Sequence, residues 1–141
     1  MKITLREDLN PDTDFYYHHQ FSIYHDPYLI WDRDTWETVI ATCTVYRIEV
    51  NGAYAGDVIV EEGGKEPKDM IDFSILPEYQ GKGIGKAVLE EMKKKYRRLA
   101  AVTRKETLDF FLKSGFVVKK TMKNYYHRDV DGYYVTYTSK G

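Results

Sequence analysis

A chain of 141 residues fits one domain, expected over 1–141, and a domain of this size buries about 68–70% of its unfolded surface. Its 21 basic and 22 acidic residues leave a formal net charge of -1, without the basic footprint of nucleic-acid and anionic-membrane binders. The single cysteine, Cys43, excludes an intrachain disulfide framework and a cysteine-rich zinc site, and suits a reducing cytoplasm.

KITLRE (2–7) alternates as a short strand. Asn10-Pro11-Asp12 reads as a helix start, with a capping residue, proline at the first helical position and acids in the first turn, opening a helix over 14–25. A second helix is expected behind Asp34, with Glu37 three residues on and an apolar stripe of Trp36, Val39, Ile40 and Cys43. TVYRIEV (44–50) and AYAGDVIVEE (53–62) read as strands joined at Asn51-Gly52, a dipeptide that accepts the positive φ angles of a tight turn. After the loop EGGKEPK (62–68), residues 69–76 alternate, placing Ile71, Phe73 and Ile75 on one face and Asp72 and Ser74 on the other. A helix over about 83–95 turns Ile84, Ala87, Val88 and Met92 inward.

LAAV (99–102) is a short strand. Thr103-x-x-Glu106 reads as a capping box for a helix that buries Leu108, Phe111 and Leu112 and stops at Gly115. FVVKKTM (116–122) and the strands around Asp131-Gly132 close the chain as an antiparallel hairpin. The order β-α-α-β-β-β-α-β-α-β-β predicts an α/β fold, a mixed sheet with helices on its faces. The N-terminal MKITLREDLNPD has no apolar signal core, and no run approaches the ~20 apolar residues of a membrane span, so no membrane partner is expected.

Residues 75–92, ILPEYQGKGIGKAVLEEM, carry the chemistry. The P-loop spacing fails, because the residue five after Gly81 is Lys86. The dinucleotide fingerprint fails too, since its third glycine would fall on Lys86 or Val88. The physics that remains is a strand feeding Gly81, Gly83 and Gly85 into a helix N-terminus, where unpaired N–H groups and the helix dipole attract an anion. Lys82 and Lys86 add charge, so the loop is expected to hold a pyrophosphate. Anion stabilisation by a helix end is worth about 0.3–2 kcal/mol, whereas micromolar binding needs about 8 kcal/mol. The ligand must therefore also offer an apolar or amide-bearing arm.

The stretch Ile75-Leu76-Pro77-Glu78-Tyr79-Gln80-Gly81-Lys82-Gly83-Ile84-Gly85 resembles the Q/R-x-x-G-x-G/A loop of the GNAT superfamily of acyl-CoA-dependent N-acetyltransferases. Phe110-Phe111-Leu112-Lys113-Ser114-Gly115-Phe116 is similar to that family's helix ending in an aromatic pair and Gly-Phe, so the match covers about residues 70–118. The resemblance implies a splayed, mostly antiparallel sheet with helices on both faces, and acetyl-CoA as co-substrate across the splay. It places pantetheine against the backbone of Ile75 and Leu76, the pyrophosphate on the amides of 81–85 with the Gln80 side chain, and the thioester near the Leu76 end of the strand, where a backbone N–H can stabilise the developing oxyanion. Arg104 stands where the family often has Asn, and Phe111 where it often has the Tyr that protonates the leaving thiolate. Both remain implied cofactor contacts, Phe111 through packing against pantetheine.

Acyl transfer needs a neutral amine and profits from a base. Asp72 is the first candidate, with Glu61 and Glu62 at the end of the preceding strand as alternatives. Within YHDPYLIWDRDTW (24–36), Tyr24, Tyr28 and Trp31 are expected to wall the acceptor, while Trp36 lies on the core stripe. His18, His19 and His25 have no acid at metal-ligand spacing, so no metal is expected. KKKYRR (93–98) complements a helix C-terminus rather than forming a nucleic-acid patch, and the tyrosines at 125, 126, 133 and 134 suit cross-strand stacking, with a displaced acid among them as the alternative. The sequence thus predicts a cytoplasmic N-acetyltransferase, monomeric or homodimeric, that moves an acetyl group to a small-molecule amine by direct attack. The alternatives are a protein or peptide acceptor and a non-catalytic CoA-binding module.

Overall fold

The structure is a computed structural model and describes residues 1–140. Strand β1 (Ile3–Glu7) precedes helices α1 (Thr13–Ile23) and α2 (Arg33–Thr42). Strands β2 (Thr44–Val50), β3 (Ala53–Glu61) and β4 (Lys68–Ile75) follow. Helix α3 (Ile84–Lys95), strand β5 (Arg98–Thr103), helix α4 (Lys105–Lys113) and strands β6 (Val117–His127) and β7 (Val130–Thr138) complete the chain. The seven strands form one sheet in the order β1-β2-β3-β4-β5-β7-β6.

Every neighbouring pair is antiparallel except β4 and β5, which run parallel and pair only through Lys68↔Leu99 and Asp69↔Ala100. Beyond Asp69 the two strands part, and the sheet opens like a V. This is the splayed, mostly antiparallel sheet that the sequence reading implied.

Two apolar layers hold the sheet. One face packs Ile48, Val58, Leu99 and Val135 against Ile84, Val88, Leu89 and Met92 of α3. The other packs Val45 and Ile59 against Tyr16 of α1 and Trp36 of α2. Full burial of one such aliphatic or aromatic side chain stabilises by about 1.5–3 kcal/mol, which is what anchors both helical layers.

The register of β3 and β4 slips between Ile59↔Asp72 and Val60↔Met70, so Ile71 is an extra residue in β4. Such a bulge breaks the alternation of faces. Ile71 consequently packs with Tyr16 and Trp36, on the side opposite Phe73 and Ile75, and the expected single face for these three is corrected.

Local signals shift by a residue or two. Asp12, not Asn10, caps α1 through Oδ1 to the Asp14 N–H, leaving Pro11 ahead of the helix. Asp32, not Asp34, caps α2 by accepting from the Thr35 N–H at 2.8 Å. The expected capping box at Thr103 does not form, because α4 starts behind Arg104 and the Thr103 hydroxyl meets that of Thr107. Leu112 is exposed rather than buried. The last hairpin turns at Arg128-Asp129, with Asp131 and Gly132 inside β7. The Asn51-Gly52 turn has the expected positive φ, 51° and 85°.

Candidate active site

The Leu76 N–H donates to the Ala55 carbonyl at 2.8 Å. Alternation along an antiparallel ladder then turns the N–H groups of Phe73 and Ile75 toward the opened β5 side, where no strand pairs with them. The Leu76 N–H is thus used by the sheet, and the outward backbone N–H at this end of the strand is that of Ile75.

Past β4, Gln80 Nε2 donates to the Ile75 carbonyl at 2.9 Å. The Gln80 side chain latches the loop to the strand with one of its two amide N–H donors. Gly81 and Gly83 take φ of 75° and 79°, and a Cβ at either would meet nothing within 4 Å. L side chains rarely adopt that backbone, so glycine is required by conformation and the space in front of the loop stays open. Gly83 is the N-cap of α3 and no side chain caps it, leaving the first-turn N–H groups facing that space. Lys86 and Ile84 line the cavity described next, whereas Lys82 is exposed outside it.

A cavity of about 1120 Å³ runs from this loop along the open edge of β4 to α1. At its far end Tyr24, the C-cap of α1, donates its O–H to Asp72 Oδ1 at 2.8 Å, and Ser74 Oγ lies 3.5 Å from Asp72 Oδ2. Burial pushes the Asp72 carboxyl above the usual carboxylate range, while hydrogen bonds from Asp57, Tyr24 and Ser74 pull it back. Burial, then the neighbouring Asp72 charge, holds the Tyr24 phenol well above its ordinary value, so it remains an O–H donor.

Trp31 lines the same end, fixed by a two-way bond of its backbone to the Gln20 amide: 2.7 Å to the carbonyl, 3.0 Å from the N–H. Tyr28 stacks on His127 of β6 with centroids 5.4 Å apart, and Arg104 reaches Asp26 at 3.7 Å. The segment between α1 and α2 is thus tied to the last hairpin and to the start of α4, crossing the α1 end of the cavity. Phe111 is buried among Phe73, Phe110 and Phe116 and lends the cavity a hydrocarbon wall. Tyr126 also lines it, donating to the Val102 carbonyl at 3.0 Å, with its phenol pushed up to about 12 by burial.

The alternative bases stand elsewhere. Glu61 is exposed at the end of β3 and does not line the cavity. Glu62 accepts from Tyr96 at 2.7 Å and Thr44 at 2.9 Å, a structural role at the strand end. Among the described residues no group of three or more His, Cys, Asp or Glu could hold a metal ion. Among the described residues no helix is long and apolar enough to cross a membrane.

Sequence reasoning missed Asp57. It sits on β3 opposite Ser74, buried, and its Oδ2 accepts from Tyr54 at 3.2 Å. Its Oδ1 takes no donor from the protein. The signal was present, since Asp57 is the one charged residue within the otherwise apolar stretch AYAGDVIV.

A splayed sheet, a glycine loop at a helix N-terminus and a buried acid in one cavity define an acyl-CoA-dependent N-acetyltransferase. The profile of the acetyltransferase (GNAT) domain matches residues 39–118, and the chain belongs to the GNAT acetyltransferase family. Among curated proteins no sequence matches. Among solved structures, the ribosomal-protein-S18-alanine N-acetyltransferase from Escherichia coli is similar at 20% identity and TM-score 0.82, covering 99% of this chain and 96% of that one. A GNAT family acetyltransferase from Elizabethkingia anophelis with acetyl-CoA bound gives 16% identity and TM-score 0.73, with 96% and 97% covered. The F149G mutant of SpeG spermidine N-acetyltransferase from Vibrio cholerae gives 15% identity and TM-score 0.73, with 96% and 93% covered. At these identities the likeness is one of fold.

Proposed function

We propose that this protein transfers the acetyl group of acetyl-CoA to a primary amine of a small-molecule or amino-acid-like acceptor by direct attack in a ternary complex. The observation that carries this reading is the single cavity joining the glycine loop and open β4 edge to Asp72, Tyr24, Tyr28 and Trp31. The N–H groups ahead of α3 suit a pyrophosphate, and the outward edge of β4 suits an amide-bearing arm, as an added strand would.

In the reaction the amine nitrogen attacks the thioester carbonyl, the N–C bond forms, and the C–S bond breaks. Asp72 accepts the proton that the amine must lose, and the Ile75 N–H polarises the carbonyl oxygen. A thiolate resembling that of cysteine, with an ordinary pKa near 8.5, leaves readily and takes its proton from water. Phe111 has no proton to give.

The similar structures act on a protein alanine in one case and on spermidine in another, so the fold does not select the acceptor. What supports a small acceptor is the enclosure: the Tyr28–His127 stack and the Arg104–Asp26 pair cross the α1 end of the cavity and narrow the room for a peptide chain. Thiol release from acetyl-CoA against a panel of small amines and of peptides tests this. Small amines should be turned over and peptides not; turnover confined to peptides contradicts the reading.

A further inference from the structure

We infer that Asp57 is a positioning residue that donates a hydrogen bond from its carboxyl Oδ1 to the carboxylate of Asp72. This rests on the reading of Asp72 as the base. Asp57 pairs with Ser74 and Ile59 pairs with Asp72, so Asp57, Ser74 and Asp72 share one face of the β3–β4 ladder, the two acids as diagonal neighbours. Both acids are buried, but only Asp72 lines the cavity. Asp57 stands behind it.

The surroundings leave two full charges uncompensated. Among the described residues neither carboxylate forms an ion pair. From β2, Arg47 faces the pair across the ladder, but its guanidinium lies over the rings of Phe15 and Tyr54, 4.8 and 5.1 Å from their centroids, with Nε toward Glu49. From α1, Tyr16 donates to Asp8 and His19 is bonded to the Phe15 carbonyl. Tyr24 donates to Asp72, and Arg104 at the head of α4 is held by Asp26 and Glu106. Tyr54 donates to Asp57 Oδ2.

Two buried like charges in this setting are costly, and one shared proton removes the conflict. It also explains Asp57 Oδ1, which has no donor because it carries the proton itself. The hydrogen-bond census decides which acid keeps that proton. The Ser74 hydroxyl serves both acids, but Asp72 receives Tyr24 at 2.8 Å where Asp57 receives Tyr54 at 3.2 Å, and only Asp72 opens onto the cavity, so the charge is better solvated on Asp72. The donated bond fixes the rotamer of Asp72 and favours its charged form, ready to take a proton from the acceptor side.

The direction of a pH shift separates the two states of Asp57. If it is a neutral donor, Asp57→Ala removes a bond to charged Asp72, and the acid limb of kcat/KM moves to higher pH, by at least half a unit. If it is ionised, the same change removes a repelling charge and the limb moves to lower pH. Asp57→Asn keeps an N–H donor and should hold kcat within threefold of the parent, at an unmoved limb. A limb that moves down or stays put in Asp57→Ala, or an Asp57→Asn as impaired as Asp57→Ala, overturns the proposal.

Carbon-13 resonances of aspartate-labelled parent protein, assigned with Asp57→Asn, read the proton without turnover and without dependence on how Asp57→Ala folds. Asp57 should keep the protonated carboxyl shift at neutral pH. Titration alongside the exposed aspartates overturns the proposal even if amines are acetylated, whereas a protonated Asp57 in a protein that acetylates none of them tells instead against the proposed function.

Discussion

Tyr24 donates its O–H to Asp72 Oδ1 at 2.8 Å across 48 positions of chain, so the residue that ends α1 holds the acid that lies on β4. Losing this donor leaves a buried carboxylate oxygen less solvated, which costs about 1–3 kcal/mol and favours the neutral acid. Tyr24→Phe should therefore lower kcat about tenfold and move the acid limb of kcat/KM to higher pH. A pH–rate profile superposable on the parent's would remove Tyr24 from the site.

Asp72→Asn tests the base itself. General-base contributions run to about 10²–10⁴-fold, so kcat at neutral pH should fall by at least a hundredfold. The deficit should narrow at alkaline pH, where the free amine deprotonates unaided. A uniform loss at every pH would indicate a packing role instead.

Gly83→Val places a β-branched residue where φ is 79° and sets its side chain in the space before the α3 amides. The Kd for acetyl-CoA should rise at least tenfold, about 1.4 kcal/mol, with thermal unfolding still cooperative. Calorimetry reads this directly; an unchanged Kd removes the loop from pyrophosphate binding.

Tyr28→Ala removes the stack on His127 that helps close the α1 end of the cavity, where the proposed function seats the acceptor. KM for a small amine should rise at least fivefold with kcat within about threefold, and slow acetylation of short peptides should appear. An unchanged KM would show that the roof does not touch the acceptor.

The acid pair also has a cost in stability. Burial, then the neighbouring Asp72, hold Asp57 well above the carboxylate range, and burial raises Asp72 as well. The native state thus binds more protons than the unfolded chain above the ordinary carboxylate value of about 3.9, so stability falls as pH rises from there until the native pair titrates. Asp57→Asn removes one of these groups and should flatten that fall. Urea unfolding at pH 5 and pH 9 checks this, and an equal loss in parent and variant would contradict it.

The element order and the conformation of the glycine loop were legible because both rest on strong local signals. Asn51-Gly52 takes the positive φ angles it advertises, and Gly81 and Gly83 do the same ahead of α3. What escaped depends on registration between distant segments. The extra residue Ile71 cannot be seen in β4 alone, because a bulge exists only relative to β3. The use of the Leu76 N–H by Ala55, and of the Gln80 amide by the Ile75 carbonyl, are likewise tertiary facts. Asp57 was hidden for the same reason: an acid in an apolar strand gains meaning only when a second acid is found diagonally across the ladder.

A crystal structure of the protein with acetyl-CoA tests the central claim most directly. The account predicts the pyrophosphate on the amides of residues 81–85, the pantetheine arm along the open edge of β4, and the thioester at the Asp72–Tyr24 end of the cavity. Acetyl-CoA bound anywhere else, or a thioester on the far side of the sheet from Asp72, would contradict it.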